Sequence, residues 1–266
     1  MKRLLIGLIL TAAPSTAAAA ELGLALDTQG LAQRDLEASP LAYQGLGVGL
    51  RLEGREAPGP WRFDEDLRVT FGGLHPGGGA RTFSLRVEDP VAGEDEVIPV
   101  RDANRALGGS LGLEGRRALG AAEVGLRLEA DALDSSAVAL GHWAWASLDL
   151  GPCAAWSVDL SDTAGLRLRA SLPVVAVVTR FPETLNPLLP DRTQVGAFFA
   201  TGTRVASLGS HQRLALGAEL TLAGPGRWTW VVGLRADWLH DATPDDLYRL
   251  RGGLVVGARF GELGAS

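Results

Sequence analysis

The stretch "RWTWVVGLRADWLHD", Arg227 to Asp241, carries tryptophan at both ends of one face of an extended strand. Successive side chains of a strand point to opposite sides, so Trp228, Trp230 and Trp238 share a face with the aliphatic residues between them. The step from Trp228 to Trp238 spans about 33 Å along a strand. At a tilt of about 40° it projects to about 25 Å, the height of the apolar band between the aromatic girdles of a membrane barrel. The spacing therefore favours a membrane-spanning strand over a soluble one.

Similar alternation recurs from Ala42 onward, for example in "AAEVGLRLEADAL" (121–133), where aliphatic residues alternate with glycine and charges. Several alternating segments exceed the roughly 5–6 residues of an average globular strand and reach the ~9–11 that a tilted membrane strand needs. The polar face mixes Gly, Ser and Thr with both signs of charge, which is typical of a narrow enclosed lumen. We therefore predict an all-β chain that forms an antiparallel transmembrane β-barrel of about 12 strands, with ~10–14 compatible with the pattern.

The first twenty residues have the composition of an export signal. A basic start at Lys2 and Arg3 precedes an apolar run and a tract of small residues, which predicts a signal peptide cleaved before Glu21. The apolar run is far shorter than the ~20 residues that a spanning helix needs. We divide the chain into a signal peptide (1–20), a lead-in or extra strand (21–41), the barrel (42–260) and a C-terminal tail (261–266).

The segment "LRGGLVVGARF", which ends at Phe260, resembles the C-terminal signal that outer-membrane barrels present to their assembly machinery. It departs from that signal because "GELGAS" follows the aromatic residue. As a whole, the mature chain is similar to bacterial outer-membrane β-barrel proteins, although no motif matches it to one family. The resemblance implies a Gram-negative outer membrane as location, and lipids and the assembly machinery as partners.

Strand parity divides the candidate residues into two sets. The aromatic girdle is predicted to contain Trp228, Trp230, Trp238, Tyr248 and Phe260. The inward-facing, lumen-lining set is predicted to contain Glu123, Arg127, Glu129, Asp131, Arg167, Arg169, Glu219, Arg235, Asp237, Arg251 and Arg259. These inward charges either pair with one another and stiffen the wall, or line a water-filled path that selects solutes.

No catalytic or metal motif is diagnostic, and no cofactor is predicted. A resemblance to outer-membrane phospholipases would imply a His-x-Ser pair, but Ala144 stands two residues after His142. The segment with His240, Asp241, Asp245 and Asp246 either takes calcium or is a solvated loop, and the solvated loop is favoured. The net charge of −6 argues against nucleic-acid binding.

The loops follow from the strand count. A twelve-strand barrel with a periplasmic N-terminus places residues 87–106 and 240–248 outside, with "GRRALG" and "AGPGR" as short periplasmic turns. Pro173 cannot donate to a ladder and predicts a bulge or kink. The same count makes Thr179 to Arg192 a long periplasmic connection, which fits poorly unless this segment is a plug or insertion.

The leading functional hypothesis is a monomeric outer-membrane barrel that acts as a narrow pore, a passive transporter or a structural barrel. Barrels of about eight strands are filled by their own side chains and those of about sixteen leave a channel, so both a plugged and a porous interior stay open. The alternatives are a lipid-modifying surface enzyme and a soluble periplasmic β-sandwich that binds a ligand.

Overall fold

The computed structural model describes residues 20–38, 41–77, 82–88, 95–101, 105–136, 143–180, 198–200 and 202–261. Most of these residues lie in strands. The strands are β1 (Ala20–Asp35), β2 (Ala42–Glu56), β3 (Trp61–Pro76), β4 (Thr82–Glu88), β5 (Asp95–Arg101), β6 (Arg105–Leu119), β7 (Ala122–Ser135), β8 (Trp143–Ser161), β9 (Ala164–Ser171), β10 (Val175–Arg180), β11 (Thr203–Ser207), β12 (His211–Ala223), β13 (Trp228–Asp241) and β14 (Leu247–Gly261).

Ten of these strands close into an antiparallel barrel. The order around the ring is β1, β2, β3, β6, β7, β8, β9, β12, β13, β14 and back to β1. The strands β10 and β11 extend this wall to a twelve-stranded sheet, while β4 and β5 pair as a separate hairpin. The predicted antiparallel barrel is confirmed. The β-sandwich alternative is wrong, because the sheet closes on itself.

The long strand β8 explains how ten strands become twelve. Its residues 153–161 pair with β9 and its residues 145–150 pair with β10. Both partners run antiparallel to β8, so β10 continues the direction of β9 after a break at residues 172–174. The predicted interruption at Pro173 lies in this break, where proline supplies no N–H to the ladder.

The two ends of the barrel differ in their connections. We call the end of the barrel where β1 begins and β14 ends the turn end. It has the short connections 57–60, 120–121, 162–163 and 224–227. Gly120 has a φ of 71°, a left-handed conformation that glycine adopts without steric cost. The opposite end, the loop end, carries the connections 36–41, 77–104, 136–142, 181–202 and 242–246.

The predicted loops can be compared with the two ends of the barrel. The predicted segments 87–106 and 240–248 fall on the connections from β3 to β6 and from β13 to β14, whose flanking strands end and begin at the loop end, and "GRRALG" and "AGPGR" lead into turn-end connections. The placement of Thr179 to Arg192 at the same end as the N-terminus is wrong, because β10 ends and β11 begins at the loop end, whereas β1 begins at the turn end. The chain does not reverse at Pro173, since β9 and β10 run in the same direction along β8. Residues 181–197 themselves lie outside the described residues.

The segment 21–41, predicted as a lead-in or an extra strand, contributes β1 (Ala20–Asp35) to the ring. β1 pairs with β2 on one side and with β14 on the other.

No helix in the described part of the chain is sufficiently long and apolar to traverse a membrane.

The outer surface of the barrel is aliphatic. Leu26, Leu126 and Leu234 are each at least 60% exposed near the middle of their strands. A continuous exposed apolar surface of this kind marks contact with lipid or another partner, since soluble monomers expose only limited patches. The aliphatic face of "AAEVGLRLEADAL" therefore points outward, and its charges point inward.

Aromatic side chains lie at both ends of this apolar band. At the turn end, the rings of Trp228 and Phe260 are 5.3 Å apart on neighbouring strands, and Trp230 lies one row further in. At the loop end, Trp238 and Tyr248 are exposed by 40% and 41%. The alternation pattern missed three other exposed turn-end aromatics, which are Trp61, Phe63 and Trp156.

Depth in the membrane decides the effect of a charge on this surface. We expect Leu26→Arg, at mid-strand, to lower the free energy of unfolding by about 2–4 kcal/mol in lipid vesicles. The control is Leu22→Arg, which lies in the row of Phe260 and Trp228 and should cost only about 0–1 kcal/mol. Urea titration of both variants measures the difference, and equal costs would contradict the lipid-facing assignment.

Candidate functional site

The interior of the barrel is lined by charged side chains that contact one another. All eleven predicted lumen residues lie on this inner side, and the most exposed of them, Arg235, has a side chain 23% exposed. Buried charges are tolerated when they are paired and hydrogen-bonded. The interior is consequently described by its ion pairs, which form two clusters joined by one arginine.

The mid-barrel cluster consists of Glu129, Asp131, Asp149, Arg213, Asp237, Arg249 and Arg251. Arg213 is its centre, because its guanidinium lies 2.7 Å from Glu129, 2.7 Å from Asp149 and 2.8 Å from Asp237. Arg251 Nη2 lies 2.6 Å from Asp131 Oδ2. These two residues belong to β14 and β7, which are five places apart in the ring of ten. Their ion pair thus crosses the full width of the barrel.

The turn-end cluster consists of Glu53, Arg55, Asp64, Glu114, Arg116, Arg169, Glu219 and Arg259. Arg55 on β2 donates to Glu219 on β12 at 3.0 Å, four places apart in the ring. Arg259 Nη2 lies 2.8 Å from Glu53 and 2.6 Å from Glu219. This second crossing closes the interior near the turn end.

Arg127 joins the two clusters. Its guanidinium contacts Glu114, lies 3.2 Å from Asp66, and donates to Glu129 at 2.7 Å. Gly112 leaves the space for this contact, because a Cβ at that position would collide with Arg127 and Asp66. A side chain on β6 at this position would displace the guanidinium of Arg127 and the carboxylate of Asp66 from their present positions.

The loop end of the interior is apolar. Its buried cluster includes Leu31, Tyr43, Leu74, Leu133, Trp143, Trp145, Val178, Leu239 and Leu247. Trp143 Nε1 donates to Asp35 Oδ2 at 2.7 Å, from β8 to the opposite strand β1. Arg180 donates to the same carboxylate at 2.9 Å, and Arg249 lies 4.0 Å from the centre of the Trp145 ring. The lumen is therefore crossed by side chains at a third level.

Two titratable groups lie beside this loop-end region. His211 Nε2 is 3.0 Å from Asp149, and its Nδ1 is 3.5 Å from Asp241. In the turn after β1, burial raises the pKa of Glu37, while Arg180, 3.3 Å away, opposes the shift. Protonation of Glu37 below this raised pKa removes a buried charge, so its contribution to stability increases as the pH falls.

Two small polar cavities remain between the ion pairs. One, of about 90 Å³, is lined by Arg51, Asp66, Glu114, Arg127 and Glu219. The other, of about 70 Å³, is lined by Asp27, Arg68, Arg127, Glu129 and Arg213. Each has room for a few water molecules, at roughly 30 Å³ per water. Two charged side chains, Arg127 and Arg235, line both cavities.

The residues considered for a calcium site point to opposite sides of the barrel wall. His240 faces outward and contacts Asp246 at 2.8 Å, whereas Asp241 faces inward and binds Arg204. The residues considered for calcium therefore do not converge. No group of three or more His, Cys, Asp or Glu within the described ranges could hold a metal ion. His142 lies outside the described residues.

Sequence parity missed several of the most buried interior residues. Asp149 and Arg213 follow the same inward alternation, in "SLDL" and "HQRLALG", and are buried in the interior. Trp143 and Trp145 are each 1% exposed. Their neighbours Ala144 and Ala146 face outward. The alternation of tryptophan with small alanines in "WAWAS" therefore indicates that tryptophan points inward here.

Comparison with known proteins yields resemblance in fold. No protein-family model matches the chain, and no curated protein matches it either. Among solved structures, the neisserial surface protein A covers 90% of this chain and 96% of its own, with 11% identity and a TM-score of 0.37. The outer-membrane protease OmpT from Escherichia coli covers 92% and 96%, with 7% identity and a TM-score of 0.45. The β-domain of the Bordetella autotransporter BrkA covers 90% and 98%, with 14% identity and a TM-score of 0.42.

The class of the protein follows from its own geometry. A closed antiparallel ring, an aliphatic exterior bounded by aromatic residues and a charged interior define a transmembrane β-barrel of the bacterial outer-membrane type.

The contribution of Arg213 to the stability of the barrel can be tested by substitution. We expect Arg213→Met to lower the free energy of unfolding by about 3–5 kcal/mol, because several buried carboxylates lose a shared cation. The matched control is Arg62→Met: Arg62 is 33% exposed and lies 3.9 Å from Glu123, so its loss should cost about 0–1 kcal/mol. Equal urea midpoints for the two variants would show that the cluster contributes little.

Proposed function

We propose that this chain is an outer-membrane barrel whose interior is closed to solutes, and that it serves as a rigid membrane support for its loop-end connections. One observation carries this proposal: side chains meet across the barrel at three levels, through Arg55–Glu219, Arg251–Asp131 and Trp143–Asp35. No residue performs covalent chemistry in this proposal. The partner of the barrel would meet the loop end.

The two ends of the barrel support an orientation. Outer-membrane barrels have short periplasmic turns and longer external loops, so we place the turn end in the periplasm and the loop end outside the cell. The predicted signal peptide supplies export. The strand β14, with the exposed Phe260 near its end, supplies the recognition element for the assembly machinery.

A narrow pore is the second candidate, and the two polar cavities favour it. Both are lined by Arg127 and Arg235, so a path for ions between them would run past these two guanidinium groups. The lipid-modifying enzyme has less support. Ala144 faces outward from β8 at the position where a hydrolase would need a serine, and it offers no nucleophile.

Conductance separates the two candidates. We expect the purified barrel in a planar bilayer to show no steady current, and we expect Arg127→Ala to be equally silent, because the crossings at Arg55–Glu219 and Arg251–Asp131 stay in place. A pore predicts steady steps in the native protein and a change of ion selectivity in Arg127→Ala. A heat-dependent gel shift confirms that each sample is a folded barrel.

Orientation is tested by labelling introduced cysteines in intact cells. In a Cys153→Ser background, Asp245→Cys at the loop end should react with a membrane-impermeant maleimide, because external loops reach the medium. Asp162→Cys, in a turn-end connection, should react only after the outer membrane is opened. The reverse pattern would contradict the proposed orientation.

A further inference from the structure

The outward face of β13, β14, β1, β2 and β3 carries a depression towards the loop end, with a volume of about 1150 Å³. Its floor is made by residues without bulky side chains, namely Gly30, Ala32, Gly73, Ala236 and Gly252. Gly252 pairs with Gly30, and Leu46 stands between Gly30 and Gly73 as a ridge 81% exposed. Most of the neighbouring wall is covered by large aliphatic side chains, so this is a groove in the lipid-facing surface.

The groove ends in polar side chains on its loop-end side. Gln44 pairs with His75 in the row above Leu46, and Arg105 begins β6 next to Gly73. Arg34 is exposed on β1, two residues beyond Ala32. Among the described residues, neither Arg34 nor Arg105 takes part in an ion pair.

The aromatic residues fix the depth of this polar end. Arg34 pairs in register with Tyr248, and Ala32 pairs with Leu250, the neighbour of Trp238. Exposed Trp and Tyr residues of barrels lie at the level of the lipid headgroups. The two arginines therefore lie at headgroup depth, and the floor of the groove lies at the depth of the acyl chains.

We propose that this groove binds a phosphate-bearing lipid of the loop-end leaflet, with an acyl chain along the glycine and alanine floor and the phosphate at Arg34 and Arg105. Guanidinium groups match phosphate oxygens in charge and in hydrogen-bond geometry. Gln44 and His75 add polar contacts between the two arginines. The inference goes beyond the support role and does not depend on whether the barrel conducts.

Binding is measured by native mass spectrometry of the folded barrel in detergent. The probe is dilauroyl phosphatidic acid, and the matched neutral probe is dilauroylglycerol. We expect the phosphatidic acid to be retained about tenfold more strongly than the diacylglycerol, because only the former can use the arginines. Inorganic phosphate should not displace it, since phosphate alone lacks the chain contacts.

Two pairs of variants test the two halves of the site. The double variant that combines Arg34→Gln and Arg105→Gln should lower the affinity for phosphatidic acid about tenfold. The control substitution Arg117→Gln, which removes an exposed arginine at the turn end, should leave the affinity unchanged. Gly30→Leu fills the groove, since an added Cβ there has no atom nearer than 3.6 Å, and it should weaken both lipids. Gly54→Leu, an outward glycine outside the groove, is its control.

Each variant is first checked for the heat-dependent gel shift, and Gly252→Leu replaces Gly30→Leu if the latter does not fold. Equal retention of the two lipids would overturn the proposal, as would equal effects of the arginine variants and their Arg117→Gln control. Full displacement by inorganic phosphate would overturn it too, because the site would then bind an anion and not a lipid.

Discussion

The ion pair between Arg251 and Asp131 spans the width of this barrel. A carboxylate on β7 meets a guanidinium on the opposite strand β14 at 2.6 Å, so the diameter of ten strands matches the combined reach of the two side chains. Neither charge would be stable there alone, because an isolated ion in a low-dielectric interior carries a large desolvation cost. The pair and the narrow ring are therefore mutually dependent.

Arginine suits this role better than lysine. Arg213 lies within hydrogen-bonding distance of three carboxylates from three strands, which a planar group with several fixed donors can do and a compact ammonium cannot do in the same geometry. The only lysine of the chain is Lys2. The interior network is accordingly built from a single kind of cation, and each arginine stiffens more than one pair of strands.

The sequence predicted the class of fold because the period of two is a property of the backbone. The spacing from Trp228 to Trp238 identified the lipid-facing side of β13, and the parity rule placed Glu123 to Asp131 inside. It could not count the strands of the ring, because Pro173 breaks one strand in the same way that a turn separates two. It also could not show that Arg251 meets Asp131. That contact depends on which strands lie opposite each other, and this is decided only when the ring closes.

Trp143 and Trp145 show a second limit. The same residue type lies at the lipid boundary in Trp228 and in the interior in Trp145, and composition alone does not distinguish the two. Only the outward alanines beside them do. The lipid groove was also beyond sequence reasoning, because Gly30 and Gly252 are distant in the chain and become neighbours through the β1–β14 pairing.

The inward charges are unevenly divided along the chain. Most inward carboxylates precede residue 150: Asp27, Asp35, Glu53, Asp64, Asp66, Glu114, Glu123, Glu129, Asp131 and Asp149. Most inward arginines follow residue 160: Arg167, Arg169, Arg180, Arg204, Arg213, Arg235, Arg249, Arg251 and Arg259. The two halves of the unfolded chain thus attract each other through these residues, over distances that salt shortens. In the closed ring, the arginines of β14 meet carboxylates of the first half, as in Arg251–Asp131 and Arg259–Glu53, so the contacts that close the barrel also balance its charge.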